Sequence, residues 1–269
     1  GQNSELELSL NKASYLESEP VWLEAKLRFR NRPLFSPAPH LTLLGDLKIA
    51  IINEKGDTVT NYCGHEDYYS PSPSVDSIYY VENLLLFYGD TEFPYSQMVM
   101  KQYLPEGEYK LFASMRTSAG VGESDYLPPA ELHFSVRKAE GEELESRNAL
   151  INMYKLLHSK DKRNAATELL QSIKTFESVH PNSVYLGAVL NLYLSYSLSS
   201  CPGLSLDSLN KIVPGNVYRY PENYFNYGNL NYLILRYRDR GKSVELLEKL
   251  TTQYSNRLLG KFACELLIK

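Results

Sequence analysis

The sequence predicts two domains of different class, an all-β antiparallel sandwich over residues 1–137 and an all-α domain of helical hairpins over residues 138–269. Strand-like alternation of apolar and polar residues runs through most of the first half of the chain. Helical spacing of apolar residues replaces it from Glu142 onward. The polar stretch "RKAEG" at 137–141 separates the two patterns, as is typical of a domain boundary.

The segment at residues 21–29, "VWLEAKLRF", is the clearest strand of the first domain. Apolar residues occupy every second position, as a half-buried strand in an antiparallel sheet requires. Further segments of this kind are separated by turn signals such as Lys55-Gly56-Asp57 and Glu106-Gly107, so we expect roughly seven or eight short strands. The only tryptophan, Trp22, lies on the face that the alternation directs toward water. It is a candidate for covering the sandwich edge or the domain joint, or for binding a partner.

The second domain shows three amphipathic or apolar stretches of helical length, and it also contains an internal repeat. The repeat pairs "LLHSKDKRNAATELLQSI" with "LRYRDRGKSVELLEKLTT", and then "VHPNSVYLG" with "QYSNRLLG". The offset between the copies is about 75 residues, close to twice the length of one helix-turn-helix repeat unit. This spacing predicts helical hairpins stacked along one axis.

Both halves resemble known families. The helical half resembles divergent tetratricopeptide repeats, which implies helix pairs stacked into a right-handed solenoid. The segment "YLESEPVWLEAKLRFRN" resembles the opening strands of bacterial extracytoplasmic immunoglobulin-like or macroglobulin-like domains, and "YLPEGEYKLFASMRT" resembles their late hairpin. This resemblance implies an immunoglobulin-like β-sandwich, a fold that carries many unrelated functions.

Composition and charge bear on location and partners. The net charge of −4 gives no electrostatic reason to expect nucleic acid, and no apolar run approaches the length of a membrane-spanning helix. The three cysteines form no CxxC pair. The opening "GQNSELELSL" has the look of a processed start, so we expect a periplasmic or cell-surface protein whose signal sequence has been removed. A lipid anchor upstream is compatible with this expectation.

One loop invites a catalytic interpretation. His65, Glu66 and Asp67 are consecutive potential ligands in a loop rich in tyrosine and proline, but no HExxH or HxH spacing accompanies them. A solvated loop is the simpler interpretation. Because neither a nucleophile motif nor a phosphate-binding loop is found, the sequence predicts a protein that is not an enzyme and uses no cofactor or metal.

The most suggestive surface is aromatic. The segment "VYRYPENYFNYGNLNYLILRYRDR" places Tyr220, Tyr224, Tyr227 and Tyr237 along one helical stripe. Such a stripe either packs against the neighbouring helix pair or lines a groove for a peptide or glycan. We therefore expect an extracytoplasmic scaffold that binds a protein or peptide partner in an envelope assembly. The alternatives are a carbohydrate-binding protein that uses Trp22 and other exposed aromatic residues, and a metal-dependent hydrolase centred on the His65 loop.

Overall fold

The structure is a computed structural model that describes residues 4–29, 47–63, 79–87, 104–118, 124–126, 129–157, 161–198, 206–237 and 239–268. The chain divides into two compact units between Lys138 and Ala139. Strands make up the N-terminal unit and helices make up the C-terminal unit, so the predicted order of the two classes is confirmed.

The strands of the N-terminal unit form two sheets. Their bounds are Ser4–Leu10 (β1), Ser14–Leu16 (β2), Val21–Phe29 (β3), Leu47–Asn53 (β4), Thr58–Cys63 (β5), Tyr79–Phe87 (β6), Gly107–Ser118 (β7), Ser124–Tyr126 (β8) and Ala130–Arg137 (β9). One sheet has the strand order β1-β3-β6. The other has the order β2-β9-β7-β4-β5, with β8 paired to β7.

The prediction of purely antiparallel sheets is wrong at one edge, where β2 pairs with β9 in parallel. Every other described pair is antiparallel. Alternation predicts which face of a strand is buried, but it carries no information on the direction of its neighbour. Only strands joined by a tight turn must be antiparallel, and β2 and β9 are far apart along the chain.

The segment between β1 and β3 is held by side chains of the "YLESEP" stretch. The hydroxyl of Tyr15 donates to Asn11 Oδ1 at 2.6 Å. The buried carboxylate of Glu19 accepts from the backbone N–H of Leu16 at 2.9 Å and pairs with Lys12. These contacts fix the chain where it leaves the first sheet at β1 and joins the second at β2.

A single hydrophobic cluster draws residues from both sheets, and its members alternate along each strand. They are Tyr15, Val21, Leu23, Ala25, Ile49, Ile51, Leu104, Tyr109, Leu111, Ala113, Phe134 and Val136. Trp22 is also buried, with 8% of its surface exposed, so the expectation that it faces water is wrong. Val21, Leu23 and Ala25 still alternate into the core, so Trp22 lies on the opposite face of β3, and that face is covered at this position.

Seven helices form the described part of the C-terminal unit. Their bounds are Gly141–Leu157 (α1), Lys162–Val179 (α2), Leu186–Leu198 (α3), Leu206–Arg219 (α4), Asn226–Arg236 (α5), Arg240–Gln253 (α6) and Leu258–Ile268 (α7). Contacts join α1–α2, α2–α3, α3–α4, α4–α5, α5–α7 and α6–α7. No described helix is both long enough and apolar enough to cross a bilayer.

Three helix-turn-helix connections share one backbone pattern. At the end of the first helix, a backbone N–H bonds to the carbonyl four residues earlier, in the pairs His180–Phe176 (2.8 Å), Tyr220–Asn216 (3.0 Å) and Tyr254–Leu250 (2.9 Å). In each turn, the N–H three residues further on donates to the carbonyl of that same residue, in the pairs Ser183–His180, Asn223–Tyr220 and Arg257–Tyr254. The internal repeat in the sequence paired only the first and third of these turns and missed the second, which follows α4. The three turns join the hairpins α2–α3, α4–α5 and α6–α7.

Candidate interaction surface

The predicted tyrosine stripe is not one continuous helix, because a turn separates α4 from α5 between Tyr220 and Phe225. Proline at position 221 disfavours helical backbone at the residue before it. The side chain of Asn223 then accepts from the N–H of Phe225 at 3.1 Å and starts the next helix. Residues on either side of this turn therefore point in directions that helical periodicity does not predict.

Two of the predicted partner-binding tyrosines pack inside the helical unit. The rings of Tyr224 and Tyr227 meet the ring of Phe262 edge-on, at centroid distances of 5.9 and 5.4 Å. Tyr227 is buried, and Tyr224 is half-buried. These rings join α5 and its preceding turn to α7, and they contribute to packing rather than to an open surface.

Tyr220 is also engaged within the unit. Its hydroxyl donates to the carboxylate of Glu177, and Arg219 lies 2.6 Å from the same carboxylate. The Arg219 guanidinium also lies 5.5 Å from the centre of the Tyr220 ring. Burial, followed by the hydrogen bond to Glu177, raises the pKa of Tyr220 to about 12. This side chain links the second turn to α2.

Tyr237 remains accessible, with 42% of its surface exposed, at the end of α5. Tyr218 on α4 is 39% exposed, and its ring lies 6.3 Å from that of Tyr254 at the end of α6. Burial raises the pKa of Tyr218, and the neighbouring hydroxyls of Tyr237 and Tyr254 raise it further. We call Tyr218, Tyr237 and Tyr254 the tyrosine cluster.

Sequence reasoning found Tyr237 but missed Tyr218 and Tyr254. A helical stripe drawn through Tyr220 excludes Tyr218, which lies only two residues away and points to another side of α4. The signal for Tyr254 was present in the internal repeat, where it takes the position that His180 and Tyr220 hold in the other turns. Trp22 lies in the N-terminal unit, and its burial leaves little of its ring available to a partner.

The described residues provide no metal-binding group of three or more His, Cys, Asp or Glu side chains. His65, Glu66 and Asp67 lie outside the described residues, so their geometry is not part of the candidate surface. Cys264 on α7 is a free, exposed thiol. The rings of Tyr218 and Tyr237 are the exposed aromatic side chains that the described helical unit offers to a partner.

Comparison with known proteins yields no family model that matches the chain and no matching curated protein.

Proposed function

We propose that this chain is a non-enzymatic, extracytoplasmic scaffold whose helical unit binds a protein or peptide partner in an envelope assembly. The observation that carries the proposal is the contact between Tyr218 and Tyr254, which joins two successive hairpins through rings that are not fully buried. Tyrosine combines a rigid apolar ring with a polar hydroxyl, and it is enriched at the energetic centres of protein interfaces.

The architecture proposed for the two units is an immunoglobulin-like sandwich and a tetratricopeptide-like solenoid. For the first, the support is the single core shared by both sheets, together with the chain that leaves one sheet at β1 and joins the other at β2. For the second, the support is the threefold recurrence of the same turn. Stacked hairpins of this kind create extended surfaces on which peptides can bind.

The proposed extracytoplasmic location rests on the resemblance carried by "YLESEPVWLEAKLRFRN" and "YLPEGEYKLFASMRT". Tyr15 and Glu19 of the first segment are buried and bonded within the turn that leads from one sheet to the other. Their role in this turn gives a structural reason why the resemblance falls on these residues.

Carbohydrate binding is the second candidate. The exposed rings of Tyr218 and Tyr237 support it, since aromatic faces can stack on sugar rings. Trp22 does not support carbohydrate binding, because its side chain is buried. A glycan array separates the two candidates, because a peptide-binding surface leaves the array without a signal that depends on Tyr218.

The proposed function is tested by quantitative capture from envelope extracts with the immobilised chain and with its Tyr218→Ala variant. We expect at least one protein that the wild type retains and that Tyr218→Ala retains about tenfold less, as expected for an interface hot spot. Val179→Ala is the control, because it truncates an exposed apolar side chain on α2. If every retained protein binds the wild type, Tyr218→Ala and Val179→Ala equally, the proposal is contradicted. Equal thermal unfolding temperatures of the three proteins exclude misfolding as the cause of a difference.

A further inference from the structure

We propose that the chain forms a two-fold symmetric dimer in which α6 packs antiparallel against α6 of a second copy, with Val244 at the symmetry axis. The contact surface is the line of Arg240, Val244 and Glu248, which we call the α6 stripe. A dimer of this kind goes beyond the proposed function, because its contact needs neither Tyr218 nor Tyr254.

Exposed hydrophobic side chains are concentrated around the start of α6. Leu235, Tyr237 and Val244 are large and exposed, and they fall in one short segment around the turn from α5 to α6. The exposed fraction is 82% for Leu235 and 39% for Val244. The hydroxyl of Ser243 donates to the carbonyl of Ile234 at 3.4 Å, which holds the start of α6 against the end of α5. Covering this segment with another surface would remove apolar area from water.

The α6 stripe combines one of these hydrophobic side chains with two charges. Arg240, Val244 and Glu248 each lie four residues apart, which places them on one face of the helix. All three are exposed, and the stripe borders the buried side of α6, which includes Ser243 and Leu247. Among the described residues, neither Arg240 nor Glu248 has an ion-pair partner, so both can pair with a second molecule.

The signs of the two charges fit a two-fold axis at Val244. In a two-fold contact, residue i of one copy meets residue j of the other, and j meets i. When α6 lies antiparallel to its copy about Val244, Arg240 of each copy comes level with Glu248 of the other, about 6 Å along the helix from the axis. The contact then contains two pairs of opposite charge. A parallel arrangement would bring Arg240 level with Arg240, which is unfavourable.

The remaining charges near α6 agree with the same axis. Asp239 comes level with Lys249, again with opposite signs. Lys242 and Glu245 come level with uncharged residues, so no two like charges meet at one level between positions 239 and 249. A partner of uniform charge would be repelled at one end of the stripe. The pattern therefore favours a second copy of this chain as the occupant.

The small size of the contact sets the expected affinity. α6 has 14 residues and is therefore about 21 Å long. One helix pair of this length buries less area than a standard protein interface of about 1,600 Å². We therefore expect a weak dimer, with a dissociation constant of about 100 μM. It should weaken further as salt is raised, because its charge pairs are exposed.

Sedimentation equilibrium of the full chain tests the dimer at concentrations from about 10 to about 1,000 μM. A reductant is present, since the exposed thiol of Cys264 could otherwise link two chains. Arg240→Glu and Glu248→Arg each bring like charges level at both ends of the contact, so each should weaken self-association about tenfold. A mixture of these two variants brings opposite charges level again. It should form a heterodimer with an affinity close to that of the wild-type dimer.

Lys174→Glu and Glu168→Arg are the matched controls, because they make the same charge changes at exposed positions of α2. Each should change the affinity by less than about twofold. Val244→Glu tests the centre of the contact. It places two carboxylates at the symmetry axis and should abolish the dimer at all concentrations.

Three outcomes would overturn the dimer. The first is a wild-type chain that stays monomeric at the highest concentration. The second is a dimer that Arg240→Glu and Glu248→Arg leave unchanged, or that the mixture of the two fails to restore. The third is a monomeric chain whose captured protein is lost in Val244→Glu, which would assign the stripe to a different protein. The proposed function is judged separately, by its dependence on Tyr218.

Discussion

The first and second turns of the helical unit have the same backbone and very different side chains. In the first, Ser183 accepts from the N–H of Tyr185, and its hydroxyl lies 2.9 Å from Glu143 Oε2 and 3.0 Å from Ser146 Oγ. In the second, Asn223 takes the place of Ser183, and Tyr220 takes the place of His180.

The comparison shows which residues the first two turns share. Both turns have a proline two positions after the last helical residue and a short polar residue two positions after the proline, at 181 and 183 and at 221 and 223. Such residues favour a turn through their own backbone and side-chain chemistry. The other positions are not needed for the turn, so one copy can hold a buried polar network and the next can carry tyrosines.

We expect the largest loss of stability from a substitution beside the third turn. This turn is shorter, with α7 beginning at Leu258, soon after Tyr254. A Cβ on Gly260 would lie 2.1 Å from the carbonyl oxygen of Tyr254, a backbone atom that cannot move aside as a side chain can. We expect Gly260→Ala to lower the free energy of unfolding by about 3 kcal/mol, measured by urea unfolding followed through helical circular dichroism.

Gly228→Ala is the matched control for that change. Gly228 lies on the exposed side of α5, and an added Cβ would meet no atom within 4 Å. Alanine is the better helix former, so this variant should gain about 1 kcal/mol. Similar behaviour of the two variants would contradict the close approach in the third turn.

A smaller effect distinguishes the first two turns directly. Ser183→Ala removes the acceptor for the Tyr185 N–H and one partner from both Glu143 and the buried Ser146, so we expect a loss of about 2 kcal/mol. Asn223→Ser keeps a turn acceptor like that of the first copy, so its cost should stay below about 1 kcal/mol. Urea unfolding measures both. A larger loss in Asn223→Ser would show that the two turns are not interchangeable.

Much of the fold follows from the sequence because the relevant signals are local. Alternation predicted β3, and helical spacing with an internal repeat predicted hairpins. Strand direction did not follow, since the parallel pairing of β2 depends on a partner more than a hundred residues away. Burial of Trp22 did not follow either, because alternation predicts on which face of β3 a residue lies and not whether that face is covered.

The candidate surface was only partly predictable for a similar reason. Periodicity assumed one helix through the tyrosine-rich segment, whereas Pro221 and Asn223 introduce a turn. The contact between Tyr218 and Tyr254 joins two hairpins and has no signature in either segment alone. The turn residues could have been recognised by comparing "HPNS" with "YPEN", which have the same order of turn-forming residues.

The smallest expected effect concerns the link that only the second turn makes through Tyr220. Its pKa of about 12 lies above the ordinary value of 10.0, so the fold favours the neutral phenol that donates to Glu177. The stabilisation is complete below about pH 10, where both folded and unfolded forms are protonated, and it is lost as the pH rises through 12. Tyr220→Phe removes this contribution and should lose less stability than the wild type between about pH 10 and pH 12.

Free energies of unfolding measured across that range for both proteins provide the test, since other titrating groups are common to the two and cancel in the difference. Tyr232→Phe is the control, because its hydroxyl has no hydrogen-bond partner among the described residues. An identical pH dependence in wild type and Tyr220→Phe would show that Glu177 does not hold the phenol. Arg219 would then be the side chain beside Tyr220 that still pairs with Glu177, in an ion pair whose carboxylate is half-buried.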